Sequence, residues 1–367
     1  MSQLHRIALS MLRCLSPQNA RLLLEEVKTA EAVFDLEVLK EIPGLNPRLP
    51  EEVATGAALR QAERELDFMA NSGVSLHWFE DENYPARLRT CPDAPLLLYS
   101  MGEAELNPSK ILSIVGTRKM TAYGRMFCEQ LVQDLAGAFP DLTIVSGLAY
   151  GVDICAHKAA LDFNLKTLAV LAHGLDRIYP PAHRQTAKKI VHQGALLTEM
   201  PSFTQPLGWR FVQRNRIVAG LSDACVVVES AEKGGSLITA YMAREYNREV
   251  FALPGRTIDP FSRGCNKLIK NQVAVLLEKA EDLIREMNWD RNVKQQSRQQ
   301  TLFPLLDAAM QEVFDLFAEG RDYDTSELYE LLRQKRDCDM GYLLSILLQL
   351  ELYCLIRALP GNKYRLY

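Results

Sequence analysis

Between residues 108 and 280, short apolar runs alternate with segments long enough to form helices. The predicted strands are Ile111–Val115, Thr143–Val145, Leu168–Leu171, Ala195–Leu197, Cys225–Val228 and Val250–Leu253. Strands that are apolar at successive positions belong to a parallel sheet covered by helices on both faces. Because crossovers between parallel strands are right-handed, the pattern predicts an α/β core with a Rossmann-like, doubly wound parallel sheet. We place this core at residues 73–287.

The segment before the core, residues 1–72, has apolar positions at helical spacing, such as Ile7, Leu9 and Leu12. It is predicted to form a helical N-terminal domain. Within it, Glu41–Leu45 lies between two helical stretches and resembles a helix-hairpin-helix turn, but Asn46 stands where a second glycine is usual. Both a plain connection and a phosphate-contacting turn remain open.

The segment after the core begins with residues 288–303, which are polar, rich in Gln and typical of a linker. Residues 304–367 then predict a winged-helix domain. Its predicted elements are helices over Leu305–Phe317, Ser326–Arg333 and Met340–Leu350 and a hairpin formed by Leu352–Ile356 and Lys363–Leu366. The presumed recognition region mixes basic and acidic residues, namely Arg333, Lys335, Arg336, Asp337 and Asp339. Contact with protein and contact with duplex DNA are therefore both open.

Composition narrows the class of protein. The 367 residues are 48% hydrophobic and 24% charged, which is ordinary for a soluble protein. No apolar run approaches the roughly 20 residues of a membrane span, and His5, Arg6 and Arg13 interrupt the first apolar stretch, unlike a signal peptide. The eight cysteines are scattered without a Cys-x-x-Cys pair, which predicts a cytoplasmic protein with no zinc site and no disulfide framework.

The net charge of −4 conceals an asymmetry along the chain. Residues 108–279 contain 21 Lys and Arg against 14 Asp and Glu, whereas the rest of the chain contains 21 against 32. The middle is therefore at +7 and the flanks together at −11. A basic middle indicates a polyanionic partner, although a basic solvated surface would give the same count.

Five turns at the ends of predicted strands carry residue types that suit phosphate. Glycine permits close backbone approach, N–H groups at a helix start bind anions, and arginine offers a planar pair of donors. The candidate residues are Gly116, Thr117, Arg118, Ser146, Gly147, Gly151, Arg214, Asn215, Arg216, Gly234, Gly235, Ser236, Thr239, Asn266 and Lys267. Because the carboxyl ends of parallel strands open on one edge, we expect all five turns to meet in one crevice.

Some of these residues allow a second interpretation. Asp153 and His157, one helical turn apart, could be a proton relay, or Asp153 could bind free N–H groups at the helix start with His157 as its partner. The arginines at 214 and 216 lie near Trp209 and Phe211. Cations beside aromatic rings suit single strands, whose bases are free to stack, but the arginines could instead brace a helix through carboxylates. The turn at 234–236 lacks the P-loop spacing, which argues against ATP hydrolysis.

Several separate motifs in a fixed order resemble the DNA-processing protein A family, also called DprA or Smf. They are VGTRKMTAYG (115–124), SGLAYGVDICAHKAAL (146–161), HGLDRIYPPAHR (173–184), GALLTEMP (194–201), FVQRNRIVAGLSD (211–223), GGSLITAYMA (234–243) and PGRTIDPFSRGCNKLI (254–269). The resemblance covers nearly the whole chain and implies the same three-part layout.

The resemblance also implies a function. It implies binding of single-stranded DNA at the core crevice, protection of incoming DNA, dimerisation through the core and loading of the RecA recombinase in natural transformation, with no catalytic residue and no cofactor. Arg118 matches the arginine with which the family contacts the strand. In the third loop, Pro181 stands where the family often has lysine. Either Arg184 substitutes for that contact, or the pocket binds more weakly.

An enzyme is the competing hypothesis. The turn at 234–236, with Glu199 or Glu229, also resembles Rossmann-like nucleotide hydrolases of the lysine-decarboxylase-like group. Those enzymes have a Pro-Gly-Gly turn, and here Lys233 replaces the proline.

Overall fold

The computed structural model describes residues 2–103, 105–289, 308–319, 321–334, 338–353, 355–359 and 361–366. They fall into two compact units, one up to Trp289 and one after it. Most of the predicted linker, 290–303, and residues 335–337 of the presumed recognition region lie outside the described residues.

The first unit begins with five helices and continues with strands and helices that largely alternate. Its helices are α1 (Gln3–Ser10), α2 (Pro17–Val27), α3 (Leu36–Lys40), α4 (Arg48–Ala54), α5 (Ala57–Ser72), α6 (Ala86–Arg89), α7 (Ala122–Ala138), α8 (Val152–Asp162), α9 (Arg184–Gln193), α10 (Gly208–Leu221), α11 (Gly235–Glu245), α12 (Arg263–Lys270) and α13 (Ala280–Glu286). Its strands are β1 (Ser75–Trp78), β2 (Leu97–Gly102), β3 (Ile111–Val115), β4 (Thr143–Ser146), β5 (Lys166–Val170), β6 (Ala195–Thr198), β7 (Ala224–Val227), β8 (Glu249–Ala252) and β9 (Val275–Leu276). Short 3-10 helices at Ala32–Phe34 and Pro181–His183 complete the unit.

These strands form one sheet in the order β1-β2-β6-β5-β4-β3-β7-β8-β9. The pairs from β6 to β9 are parallel, and β1 and β2 add an antiparallel edge. The predicted doubly wound parallel sheet is therefore confirmed. The chain adds β4, β5 and β6 on one side of β3 and then returns to place β7 on the other side. This reversal creates a switch point between β3 and β7, where such sheets bind ligands.

Successive residues of the central strands enter two different cores, as the pleat requires. Ile111 and Val115 of β3 pack with α10 and α11, whereas Leu112 and Ile114 pack with α7 and α8. Burial on both faces explains why these strands are apolar at successive positions.

The N-terminal helices share a third core with the edge of the sheet. Ile7 and Leu9 of α1 are buried in one cluster with Leu97 and Tyr99 of β2 and with Leu196 of β6. Helix α1 ends at Ser10, earlier than its apolar pattern suggests. The candidate hairpin at 41–45 does connect two helices, α3 and α4, and Gly44 there has a φ of +74°.

The second unit contains α14 (Ala308–Asp315), a 3-10 helix (Leu316–Glu319), β10 (Tyr323–Asp324), α15 (Thr325–Arg333), α16 (Met340–Leu352), β11 (Ile356–Leu359) and β12 (Lys363–Leu366). Its strands form an antiparallel sheet in the order β10-β12-β11. Three helices and a hairpin are present as predicted. The prediction of a strand over Leu352–Ile356 was wrong, because α16 continues to Leu352 and the strand begins only at Ile356.

Shared packing predicts that a core substitution in α1 weakens the first unit. Leu9 is 1% exposed, so Leu9→Ala should lower the free energy of unfolding by about 2–5 kcal/mol through lost burial and a cavity. Leu22 on α2 is 63% exposed, and Leu22→Ala should change it by about 0.5 kcal/mol at most. Urea unfolding of both variants measures this, and equal losses would contradict the packing described.

Candidate single-strand-binding crevice

The loop after β3 and the loop after β7 meet at the switch point, because Glu229 of the second loop binds the first. After β3, the N–H of Thr117 donates to the carbonyl oxygen of Glu229 at 2.7 Å. The Glu229 carboxylate accepts the N–H of Thr121 at 2.8 Å and its hydroxyl, just before α7 begins. Glu229 is thus a buried structural acceptor in this fold.

The loop after β4 approaches the same place through glycine. Gly151 has a φ of +77°, and a Cβ there would lie 2.1 Å from the Thr117 carbonyl oxygen. The next residue, Val152, donates its N–H to that oxygen at 3.2 Å. Glycine is needed here for both conformation and space.

A crevice of about 280 Å³ opens between these loops and the start of α10. The predicted residues that line it are Gly116, Thr117, Arg118, Gly147, Arg214, Asn215, Gly234, Gly235, Ser236 and Thr239. Turns that are separated in sequence by more than 100 residues therefore meet, as the switch point requires.

Arg118 is the exposed cation of this crevice. Its guanidinium lies 5.6 Å from the ring centroid of Phe211, which in turn lies 5.7 Å from the ring of Tyr179. Within the described residues, Arg118 has no hydrogen-bond or ion-pair partner. An exposed guanidinium on an aromatic ring is available to phosphate oxygens and to a stacked base.

Arg214 places a second cation below the crevice surface. The side chain is 4% exposed and donates from Nη1 to the Val170 carbonyl oxygen at 2.5 Å. Gly147 makes room for it, since a Cβ there would lie 1.8 Å from Nη1. Burial lowers the pKa of Arg214 to about 10, and the nearby Asp153 opposes that effect, so the guanidinium stays charged at neutral pH.

The start of α11 supplies N–H donors to the opposite wall. Gly234 caps this 11-residue helix without a side-chain hydrogen bond, and a Cβ on Gly235 would meet nothing within 4 Å. The Ser236 hydroxyl donates to the hydroxyl of Ser230 at 2.9 Å. An open helix N-terminus beside two cations is an anion site.

The remaining candidates do not line the crevice: Ser146, Gly151, Arg184, Arg216, Asn266 and Lys267. Ser146 is fully buried, and its hydroxyl donates to the Ile114 carbonyl oxygen at 2.6 Å. Arg216 forms a buried ion pair with Glu199. The bracing interpretation is therefore the right one for Arg216, whose guanidinium cannot reach a ligand here.

The fifth turn, expected in the same crevice, does not line it. The start of α12 lies behind the crevice wall, where the N–H of Gly264 donates to the Ser230 carbonyl oxygen at 2.9 Å. Asn266 bridges the loop that follows β8 by bonding the N–H and carbonyl oxygen of Gly255 at 3.1 and 2.8 Å. Lys267 and Arg184 are exposed at helix surfaces. The expectation that all five turns converge was wrong for this one.

The candidate proton relay is absent. Asp153 accepts N–H groups of Gly147 and Ala149 at 3.2 and 3.4 Å, while the His157 ring bonds the Thr167 hydroxyl at 2.7 Å. Asp153 thus satisfies the loop before α8, as the second interpretation held, but His157 is not its partner. Tyr179 was missed, because nothing in its local sequence indicates that it reaches Phe211.

No helix in the described ranges combines the length and apolarity needed to cross a bilayer. The same residues hold no group of three or more His, Cys, Asp or Glu side chains that could bind a metal.

A doubly wound sheet with glycine turns, a helix N-terminus and two arginines at its switch point defines an α/β protein with a candidate anion site. The family model of DNA recombination-mediator protein A matches residues 75–288, and the chain belongs to that family. It is 37% identical to protein Smf of Escherichia coli over 85% of this chain and 86% of that protein. It is 38% identical to DNA processing protein DprA of Bacillus subtilis over 72% and 84%, respectively.

Two solved structures resemble the fold. The X-ray structure of DNA processing protein A from Streptococcus pneumoniae aligns with a TM-score of 0.67 at 31% identity, over 78% of this chain and 98% of that one. DNA processing protein A from Helicobacter pylori aligns with a TM-score of 0.54 at 31% identity, over 59% and 96%. The work on the latter describes a single-stranded DNA binding mode.

Two glycines of the crevice should respond differently to the same substitution. Gly147→Ala must displace the Arg214 guanidinium from its buried hydrogen bond, which should lower the free energy of unfolding by about 1.5–3 kcal/mol. A Cβ on Gly235 would enter open space, so Gly235→Ala should leave the free energy of unfolding nearly unchanged. Urea unfolding compares them, and a Gly147→Ala protein as stable as wild type would contradict the geometry.

Burial also makes stability depend on His157. Its pKa is lowered from 6.5 to about 3, chiefly by burial, so the folded state binds fewer protons than the unfolded chain between these values. The free energy of unfolding should therefore fall as pH drops below about 6.5, by up to about 1.4 kcal/mol per pH unit from this group. His157→Gln should remove that component in urea unfolding at pH 7 and 5. If the free energy of unfolding falls equally from pH 7 to pH 5 in both proteins, the role assigned to His157 is refuted.

Proposed function

We propose that this protein binds single-stranded DNA in the crevice between β3 and β7, and that it acts in DNA processing without catalysis. The observation that carries the proposal is Arg118, exposed and stacked on Phe211, beside the open N-terminus of α11. An aromatic ring with a cation beside it can stack on an unpaired base, and free N–H groups can bind the backbone phosphates. The Helicobacter pylori relative with a described single-stranded binding mode supports it.

The proposed DNA contacts come from exposed side chains and from exposed backbone. Arg118, Phe211 and Asn215 present side chains to a strand, while Gly234 and Gly235 present backbone. Arg214 acts through its charge from below. Among the residues predicted for DNA binding, Ser146, Arg216 and Asn266 hold the loops in place and are not proposed as contacts.

The carboxylates needed for the enzyme alternative are already engaged. Glu229 accepts the N–H and hydroxyl of Thr121, and Glu199 pairs with Arg216. This supports a binding role over nucleotide hydrolysis. Release of free base from nucleoside monophosphates, abolished by Glu229→Gln, would favour the enzyme instead.

The wider role follows from the family. We propose that the protein acts in the cytoplasm as a homodimer through its core, protects incoming single strands and loads the RecA recombinase in natural transformation. We also propose that the second unit is a winged-helix module. Its helix α16 carries no Lys or Arg, which supports protein contact over reading of a DNA groove.

Replacing Arg118 tests the crevice. Arg118→Ala should weaken binding of an oligothymidine by about tenfold, because it removes a phosphate or stacking contact. The log–log salt slope should fall by about 0.7 for one lost phosphate contact. Arg244→Ala is the matched control, since Arg244 is exposed in the last turn of α11 and lines no part of the crevice. Gel shifts or fluorescence anisotropy at several salt concentrations provide both values.

The same titrations with a duplex of equal length test the preference for single strands. Equal affinity for both forms, or an Arg118→Ala protein that binds as wild type does, would overturn the proposal.

A further inference from the structure

A second crevice lies on the other flank of α10. It has a volume of about 440 Å³ and is formed by residues 9–17 of the N-terminal helical layer, the approach to β2 and the loop that follows β6. Trp209, Arg210 and Gln213 of α10 line it, whereas Gly208, Phe211 and Val212 line the first crevice. The two crevices are thus separated only by the start of one helix, about 10–12 Å across with its side chains.

Each crevice has a cation stacked on an aromatic ring. Arg118 lies 5.6 Å from the centroid of Phe211 in the first, and Arg210 lies 4.9 Å from that of Trp209 in the second. Trp209 is 59% exposed, although most of a tryptophan side chain is usually buried. Arg210 donates to the Gln205 carbonyl oxygen at 2.6 Å, which fixes it beside the ring.

Among the side chains that line the second crevice, cations outnumber carboxylates. Arg13 and Arg210 line it, and its single acidic lining residue, Glu199, is neutralised by the buried ion pair with Arg216. The Glu52 carboxylate lies beside this lining and accepts the N–H of Arg13 at 2.8 Å. The sequence from Met200 to Ser222 contains no Asp or Glu. A polyanion that leaves the first crevice along α10 therefore meets no repelling carboxylate from this segment.

The surface between the crevices is apolar and open. Leu207 and Val212 are 45% and 44% exposed, and a Cβ on Gly208 would meet nothing within 4 Å. An apolar ridge flanked by aromatic–arginine pairs is suited to bases, because every base presents a π face. A protein partner would also bury such a ridge, but the cations on both sides and the continuity with the first crevice favour nucleic acid.

Resting on the single-strand-binding function proposed above, we propose that the strand continues from the first crevice over the start of α10 into the second. There a base stacks on Trp209, and backbone phosphates meet Arg210 and Arg13. The N-terminal helical layer thereby contributes directly to DNA binding and lengthens the strand that one protomer holds.

Oligonucleotide length separates the two crevices. An oligothymidine of about 6 nucleotides should occupy the first crevice alone, and one of about 20 should reach both. Trp209→Ala and Arg210→Ala should each weaken binding of the long strand by at least about fivefold and leave the short strand unchanged. Trp209→Phe keeps a stacking ring and should restore most of the affinity, and Arg244→Ala is the charge control.

Fluorescence gives a second readout of the same contact. The chain has three tryptophans, of which Trp78 is fully buried and Trp289 half-buried against Phe139. Stacking on the exposed Trp209 should therefore quench emission when the long strand binds, and Trp209→Phe should abolish most of that change. The short strand should quench little.

The outcomes distinguish this inference from the function on which it rests. If Arg118→Ala weakens both lengths while Trp209→Ala and Arg210→Ala weaken neither, the crevice function stands and the extended path is refuted. If Trp209→Ala weakens both lengths equally, the second crevice is not a separate subsite, and the inference is again refuted. If no single strand binds, the proposed function itself fails.

Discussion

The buried guanidinium of Arg214 is the interaction on which the crevice depends. A charge removed from water requires partners, and Arg214 contacts three elements, two of which supply a partner. It donates to the end of β5 at Val170, faces Asp153 at the start of α8 and lies under Gly147 after β4. These contacts fix the position of α10 against the carboxyl edge of the sheet. The walls of the crevice follow from that position.

The three arginines grouped near α10 illustrate how one residue type is used in different ways. Arg210 stacks on Trp209 at the surface, Arg214 is a charged support below a glycine turn, and Arg216 neutralises Glu199 inside the protein. A buried pair such as Arg216 and Glu199 contributes little net stability, because the desolvation of both charges offsets their attraction. Only the exposed arginines are accessible to a ligand, so the local density of arginine overstates the size of the accessible cationic surface.

The sequence predicted the core strands well because burial on both faces leaves a distinct pattern, seen at Ile111–Val115 and Cys225–Val228. It did not predict β1, β2 or β9. The edge strand β1 is half-exposed and the edge strand β9 has two residues, so both carry weak patterns. Strand β2 is paired on both sides and buried over its first four residues, and it was missed although its sequence is apolar. The boundary at Leu352 was misplaced because Leu352–Ile356 is apolar throughout, and periodicity cannot separate a helix end from a strand in such a run.

For the site, the sequence by itself determined which turns contain glycine, hydroxyl and arginine residues and that those at the ends of parallel strands share an edge. It therefore identified Arg118, Gly147 and Gly235 correctly as crevice residues. Only the tertiary structure decided that Arg216 faces a carboxylate, that Asn266 closes its own loop and that Tyr179 and Phe211 meet. The physical reason is that residue type and strand order set where a side chain starts, whereas burial and its partners depend on packing between segments distant in sequence.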